Sequence, residues 1–468
     1  MNLRRLTTFS LVMITVGSVD SIRNLPATAK FGSSLIFFFI LAALFFLIPT
    51  ALVSAQLSST QGEEGGIYHW VSKALGRTQG FLAIWFQWIE NVFWYPTILA
   101  FVAGAIGYLI APQLANSKYF LMTVIIIAFW SATFINLRGM RSSALFSNIC
   151  AIVGLLIPMM LIISLGFAWW MMGHSLQVGF STKDIFPHFH SGIWVSLTGV
   201  ILSFCGMEIA TVHARDAKNP RRDFPKALMI SVIILLVTLI FGSLAIAVVL
   251  PGNQISLVSG IMQAFHAFFA AYHCEWLLPL IAVMLVVGGM GGVSNWIIAP
   301  TKGLRFAAMD GHLPDACRRE NSQGAPTTLL ILQAIIVTII SAAFLLLPSV
   351  NASYWLLTAL ASQLYMLMYM QMFVAGMVLR RQVPRNFTGF LIPGGNLATH
   401  ITSVIGFSGS LVTFLIGFIP PVSMHIGSTL RYESLLVGGL VGMILLPLLS
   451  VLWQRRQTDA AIAPSLNR

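Results

Sequence analysis

Apolar residues in this chain come in long runs rather than alternating or recurring at every third or fourth position. Twelve runs stand out, at roughly 6–28, 33–57, 80–111, 119–136, 144–172, 193–213, 227–250, 276–301, 327–348, 354–379, 398–419 and 434–453. At 1.5 Å of rise per residue, about 20 apolar residues cross the hydrocarbon of a bilayer. The pattern predicts an all-α polytopic membrane protein of about 12 helices. No connection is long enough for a folded extramembrane domain.

Two runs are interrupted. Span 1 breaks at Gly17-Ser18-Val19-Asp20-Ser21, just before Ile22-Arg23-Asn24-Leu25-Pro26, and span 6 breaks at Cys205-Gly206-Met207-Glu208. A bare N–H or C=O facing lipid costs several kcal/mol, so broken membrane helices persist where they line a cavity. Breaks in spans 1 and 6 divide spans 1–10 into two units of five. An odd number of crossings per unit inverts the second unit relative to the first. The expected layout is one transmembrane domain over 1–453, with repeats at about 6–172 and 193–379, additional helices over 398–453 and a short tail at 454–468.

Composition agrees with a membrane protein. Only 9% of the 468 residues are charged, and mean hydropathy is +0.86. Soluble domains carry about 25% charged residues. The formal charge of +12 at first suggests a nucleic-acid partner, but its distribution points elsewhere. With both termini inside, only Arg23, Lys30, Lys118, Lys183 and Arg431 of the 26 basic residues fall outside cytoplasmic segments. That bias sets orientation, and basic inner loops suit a lipid surface.

The four cysteines are scattered, at 150, 205, 274 and 317, with neither disulfide nor metal spacing. Arg4-Arg5, the apolar run and Ala27-Thr28-Ala29 superficially resemble a cleaved signal. Asp20, Arg23 and Pro26 crowd that site, and the broken helix is expected to be retained. Glu63-Glu64-Gly65-Gly66 reads as a solvated turn rather than a carboxylate pair. The stretch that follows, Ile67-Tyr68-His69-Trp70-Val71, is amphipathic and suits the inner surface. Gly288-Gly289-Met290-Gly291-Gly292 in span 8 suits close helix packing or a hinge.

An unwound helix exposes N–H groups at the start of its second half and carbonyls at the end of its first half. These suit a carboxylate and an ammonium respectively. Two facing breaks would hold a zwitterion, so an α- or ω-amino acid is the natural ligand. Asp20, Glu90 and Glu208 fall within spans, where a charge costs about 2.5–3.5 kcal/mol even on a lenient scale. Each therefore needs a role or a partner.

The segment Ser203-Phe204-Cys205-Gly206-Met207-Glu208-Ile209-Ala210, with His213-Ala214 and Lys218-Asn219-Pro220-Arg221-Arg222-Asp223-Phe224-Pro225-Lys226-Ala227, resembles the sixth-span signature of amino acid/polyamine/organocation transporters. Arg23-Asn24-Leu25-Pro26, Glu64-Gly65-Gly66-Ile67-Tyr68 and Asp310-Gly311-His312-Leu313-Pro314 fit the same superfamily. Within it the chain most resembles the bacterial glutamate/γ-aminobutyrate antiporters. The resemblance implies a LeuT-like five-plus-five inverted repeat with broken helices 1 and 6. The two breaks are expected to bind the substrate's poles, through Val19, Asp20 and Ser21 on one side and Ser203, Phe204, Cys205, Gly206 and Met207 on the other. Glu208, which matches the superfamily's signature glutamate, either couples protonation to gating or serves as a structural hydrogen-bonded acid. Trp296, Tyr365 and Tyr369 would border or gate the path, although packing is an equally ordinary use of such aromatics.

The chain departs from the common glycine-rich first-span pattern at Val19-Asp20-Ser21. Asp20 either contacts a substrate ammonium, repels a second carboxylate, or pairs with Arg23 three residues on. Glu90 reads first as an inward-facing structural acid and second as pathway lining. A span-5 lysine of some superfamily members is missing, and Gly154 sits about where it would fall, which favours exchange over proton-coupled uptake. Histidines 174, 188, 190, 266, 273 and 425 fall in predicted outer loops, where acid would charge them.

The expected function is an inner-membrane antiporter taking an amino acid in exchange for a related or decarboxylated one, glutamate/GABA-like, by alternating access. A proton- or sodium-coupled symporter of the same fold is the alternative. An enzyme is not expected, for lack of a nucleophile–base, HExxH or GxSxG pattern. No cofactor or metal is expected. The expected partners are a small-molecule amino acid and the lipid bilayer but no nucleic acid, with a homodimer admissible.

Overall fold

The computed structural model of the protein describes residues 7–61, 66–138, 149–187, 192–210, 220–384, 386–420 and 428–462. Among them are ten helices long and apolar enough to cross a membrane. They are Gly32–Gln61, Arg77–Ile110, Lys118–Leu137, Ile149–Met171, Lys226–Val249, Glu275–Met309, Thr327–Leu346, Val350–Arg380, Gly395–Ile416 and Thr429–Leu452. These correspond to expected spans 2–5 and 7–12, and their numbering is kept. Spans 1 and 6 are absent from this set because each is interrupted among the described residues. The described residues include no strand.

Span 1 runs as Thr8–Val19, capped by Thr7, whose side chain accepts from the Ser10 N–H at 3.2 Å. It stops where Asp20 and Ser21 turn extended, at ψ 133° and 113°. A short 3₁₀ turn, Ile22–Asn24, then leads into Leu25–Ala29, with Pro26 in the first turn, where its missing N–H costs nothing. Span 6 runs as Ser196–Ser203, turns through Phe204 to Gly206, and resumes at Met207–Ala210. Gly206 has φ +102°, a conformation that a side chain would strain. Both breaks are shorter than the sequence suggests. Gly17, Ser18 and Val19 remain helical, and Met207 and Glu208 already belong to the second half.

Spans 3 and 10 form the centre of the bundle. In their most apolar stretches 72% and 67% of residues are buried, against 22% in span 12 and 33% in spans 4, 5 and 11. The peripheral spans leave Leu, Ile and Phe side chains bare, as hydrocarbon permits. Span 12 continues as helix to Ile462, so most of the expected tail extends it.

The glycines of span 8 serve two neighbours. A Cβ on Gly288 would fall 2.4 Å from Gly154 O and one on Gly291 2.4 Å from Cys150 Cβ, both in span 5. Gly289 and Gly292 face Val102 and Ile98 of span 3 in the same way. The expectation of close packing holds, with three-residue steps meeting each neighbour. Gly154 lies in a wide π-turn of span 5, Ile152–Leu156.

The amphipathic stretch forms the helix Ile67–Leu75, which buries Ile67, Tyr68, Trp70 and Val71. The Tyr68 hydroxyl donates to Asp310, and the ring of His312 stacks on Phe81 at 5.1 Å and 4°. Glu63 and Glu64 lie outside the described residues.

Candidate functional site

Ending the first half of span 1 at Val19 leaves carbonyls near its terminus without the donors a continuing helix would supply. One of them, Ser18 O, points at the other break: a Cβ on Gly206 would lie 3.2 Å from it and 3.1 Å from Trp296 Cζ2. The two breaks therefore meet, with the Trp296 indole across them. Asp20 stands at this carbonyl-rich end and is 6% exposed. Thr238 of span 7 and the Ser21 amide lie beside it, yet neither Asp20 oxygen accepts a hydrogen bond of normal geometry. Thr238 donates instead to Ile234 O at 2.9 Å. A carboxylate next to the negative end of a helix favours a cation nearby.

The span-6 break is organised differently. The Gly206 N–H donates to the Tyr369 hydroxyl at 3.0 Å, and that hydroxyl donates to Glu208 Oε2. Tyr365 Oη and Gln87 Nε2 donate to Glu208 Oε1 at 2.7 and 3.0 Å. The backbone donor freed by the break, and an acid placed in the first helical turn, are thus tied together by spans 3 and 10. Tyr365 and Tyr369 sit one turn apart on span 10, their rings 4.8 Å apart, and Phe46 meets Tyr369 edge-on at 4.9 Å.

A cavity of about 120 Å³ opens between the breaks. By the same measure one water needs about 10–15 Å³, so the space holds on the order of ten waters, or one small amino acid. Spans 1, 3, 5, 6, 8 and 10 line it. Its described charged lining residues are Asp20, Arg23 and Glu90.

Arg23 is 3% exposed. Its Nη1 donates to Thr97 Oγ1 at 2.6 Å and to Tyr354 Oη at 3.1 Å, and its guanidinium carbon lies 5.3 Å from the Trp94 ring centre. Trp94 in turn meets Trp296 at 6.0 Å, and Tyr95 fixes the Trp296 carbonyl through a 2.9 Å hydrogen bond. Asn91 Nδ2 donates to Glu90 Oε1 at 2.7 Å.

Of the residues singled out in the sequence, Val19, Asp20, Ser21, Cys205, Trp296 and Tyr365 line the cavity. Ser203, Phe204, Gly206, Met207, Tyr369 and Glu208 are buried behind its wall. Asp20 does not pair with Arg23, which reaches away toward spans 3 and 10. Glu90, read first as structural, lines the cavity as well. Gly154 also lines it, pressed against span 8.

Arg23, Asn91 and Trp94 were missed as lining residues. The cation at membrane depth was the available signal, since an intramembrane charge points to a site. Among the outer histidines, His174 stacks on Trp169 at 4.3 Å and His266 Nδ1 meets Tyr108 Oη at 3.1 Å. His188, His190 and His425 lie outside the described residues.

Residues 6–441 match the family model described as amino acid permease. The chain is 45% identical over 443 residues to an uncharacterized transporter of Legionella pneumophila, covering 94% of this chain and 95% of that one. It is 30% identical over 453 residues to a glutamate/gamma-aminobutyrate antiporter of Lactococcus lactis subsp. cremoris, covering 96% and 90%. A protein of Lactococcus lactis subsp. lactis named as a probable agmatine/putrescine antiporter is 24% identical over 83% of this chain and 82% of its own. Family membership brings with it the LeuT-like multi-span fold, and transport rather than catalysis as the family's activity. With two helices broken where they meet around a small charged cavity and a family match spanning nearly its whole length, this chain belongs to the amino acid permease family of multi-pass membrane transporters.

Proposed function

We propose that the protein is an inner-membrane antiporter that exchanges an amino acid for a related or decarboxylated one, glutamate/GABA-like, by alternating access. The observation that carries this reading is the cavity between the breaks. It is the size of one small amino acid and has carboxylates and a guanidinium in its wall. Val19, Asp20 and Ser21 hold the ammonium pole, where helix carbonyls and an acid reinforce one another. Between the poles the substrate lies against Cys205 of span 6 and Trp296 of span 8, which line the cavity. Trp296 and Tyr365 close on the substrate from spans 8 and 10.

Glu208 is the proton-responsive joint. Its carboxylate takes donors from Tyr365, Tyr369 and Gln87. Protonation weakens that grip and frees the Gly206 turn to move. Relatives named as antiporters of amino acids and amines support exchange, and the substrates in those names are the first to try.

Counterflow in proteoliposomes tests the reading. Labelled glutamate or γ-aminobutyrate should enter vesicles loaded with unlabelled partner and stay out of empty ones. Uptake into empty vesicles driven by a sodium or proton gradient would instead establish the symporter of the same fold.

A further inference from the structure

We propose that Arg23 is the receptor for a substrate carboxylate, and that it sets the cavity against amines that lack one. This rests on the exchange reading above. The usual candidate for a carboxylate is the N–H end of a broken helix. Here the span-6 end is already engaged, since the Gly206 N–H is spent on Tyr369 and the acid Glu208 occupies the first turn, while the span-1 end begins at Ile22–Asn24 and carries Arg23 itself. A second carboxylate there would face a like charge.

Arg23 is the only basic residue among the described residues lining the cavity. It is buried, its Nη1 hydrogen bonds go to neutral hydroxyls, Glu90 acts on it only from beyond ion-pair distance, and its Nε has no acceptor. A buried guanidinium without a contacting anion is expensive, and neutral hydroxyls and an indole face repay only part of that cost. A carboxylate repays much more, through charge-assisted bonds in fork geometry. Asp20 and Glu90 stand in the same wall for the ammonium pole. A diamine would satisfy the acids and leave Arg23 opposed by a second cation. The chain Arg23–Trp94–Trp296–Gly206 gives this recognition a route of contacts to the span-6 break.

The test compares γ-aminobutyrate with putrescine, which resemble each other in length and differ chiefly in the carboxylate. Arginine and agmatine, which differ only in the α-carboxylate, serve as a second pair. Concentration-dependent thermal stabilisation of the purified full-length protein gives affinities, and counterflow gives transport. In Arg23→Gln the preference for each carboxylate-bearing compound over its amine should fall about 10-fold or more, the scale of a hydrogen bond to a charged group. Where Arg23→Gln does not survive purification, Arg23→Lys keeps the charge without the fork and should lower the preference by a smaller factor, again at the expense of the carboxylates. An unchanged preference, or equal loss for amines and amino acids, overturns the assignment while leaving exchange intact. Wild-type protein that neither binds nor exchanges any of the four overturns the exchange reading, and this assignment with it.

Discussion

Tyr369→Phe and Tyr365→Phe remove the same atom from the same helix face, yet they should not cost the same. Each deletes one hydrogen bond to Glu208, an interaction with a charged group worth about 1.5–3 kcal/mol. Each keeps its ring, and so keeps the 4.8 Å ring pair. Tyr369 has a second duty that Tyr365 lacks, because its hydroxyl accepts the Gly206 N–H at 3.0 Å. Replacing it with Phe strands that buried donor at a further cost of about 1–3 kcal/mol. Tyr365 lines the cavity, where water can take over part of what its hydroxyl supplied.

The expected order is therefore a loss of about 2.5–6 kcal/mol for Tyr369→Phe and up to about 3 kcal/mol for Tyr365→Phe. The difference isolates the break. Reversible unfolding of both variants in mixed micelles, titrated with a denaturing detergent, measures it directly. Equal losses, or a larger loss for Tyr365→Phe, would mean that the Gly206 N–H does not depend on Tyr369, and the account of the span-6 break would fail.

Other consequences can be measured in the same preparations. Gly154→Ala sets a Cβ 2.1 Å from Gly288 Cα and 2.2 Å from its N, backbone atoms that cannot swing aside. Spans 5 and 8 must part, at about 1–3 kcal/mol or more, seen as a lower melting temperature. Gly206→Ala puts a side chain at φ +102° and 3.1 Å from Trp296. The backbone strain alone is about 1–2 kcal/mol, and counterflow should be lost before folding is. His312 lies outside the spans, and burial lowers its pKa from the ordinary 6.5, with Asp310 opposing and Arg77 assisting. The unfolded chain then binds the proton more readily, so acidification below about pH 6.5 should destabilise the protein. His312→Gln should flatten that part of the stability profile between pH 7.5 and 5, and an unchanged slope would refute the argument.

The sequence reveals the spans because twelve apolar runs have a single physical explanation. It reveals the breaks because Asp20 and Gly206 sit in otherwise apolar runs. It overstates their length, since Gly17 and Ser18 read as breakers but stay helical when the chain departs only at Asp20. The cavity wall is less legible. Arg23 has an acid three residues away, and that local pairing is the simplest reading of the sequence. Which direction its long side chain takes depends on Thr97 and Tyr354, 74 and 331 residues distant. Glu208 stood out in the sequence, but its donors Gln87, Tyr365 and Tyr369 come from spans 3 and 10, and no local pattern joins them to it.

The contact between Gly154 and Gly288 bears on which residues this fold can accept in span 5. Some superfamily members carry a lysine at about the position of Gly154. Here that position is shut by the backbone of another helix, so a lone glycine-to-lysine change has nowhere to put its first carbon. A descendant acquiring the lysine would first have to withdraw span 8, and a relative bearing it should differ at the partner glycine too. The two positions are expected to vary as a pair across homologues, so that any side chain gained at one is met by a withdrawn backbone at the other.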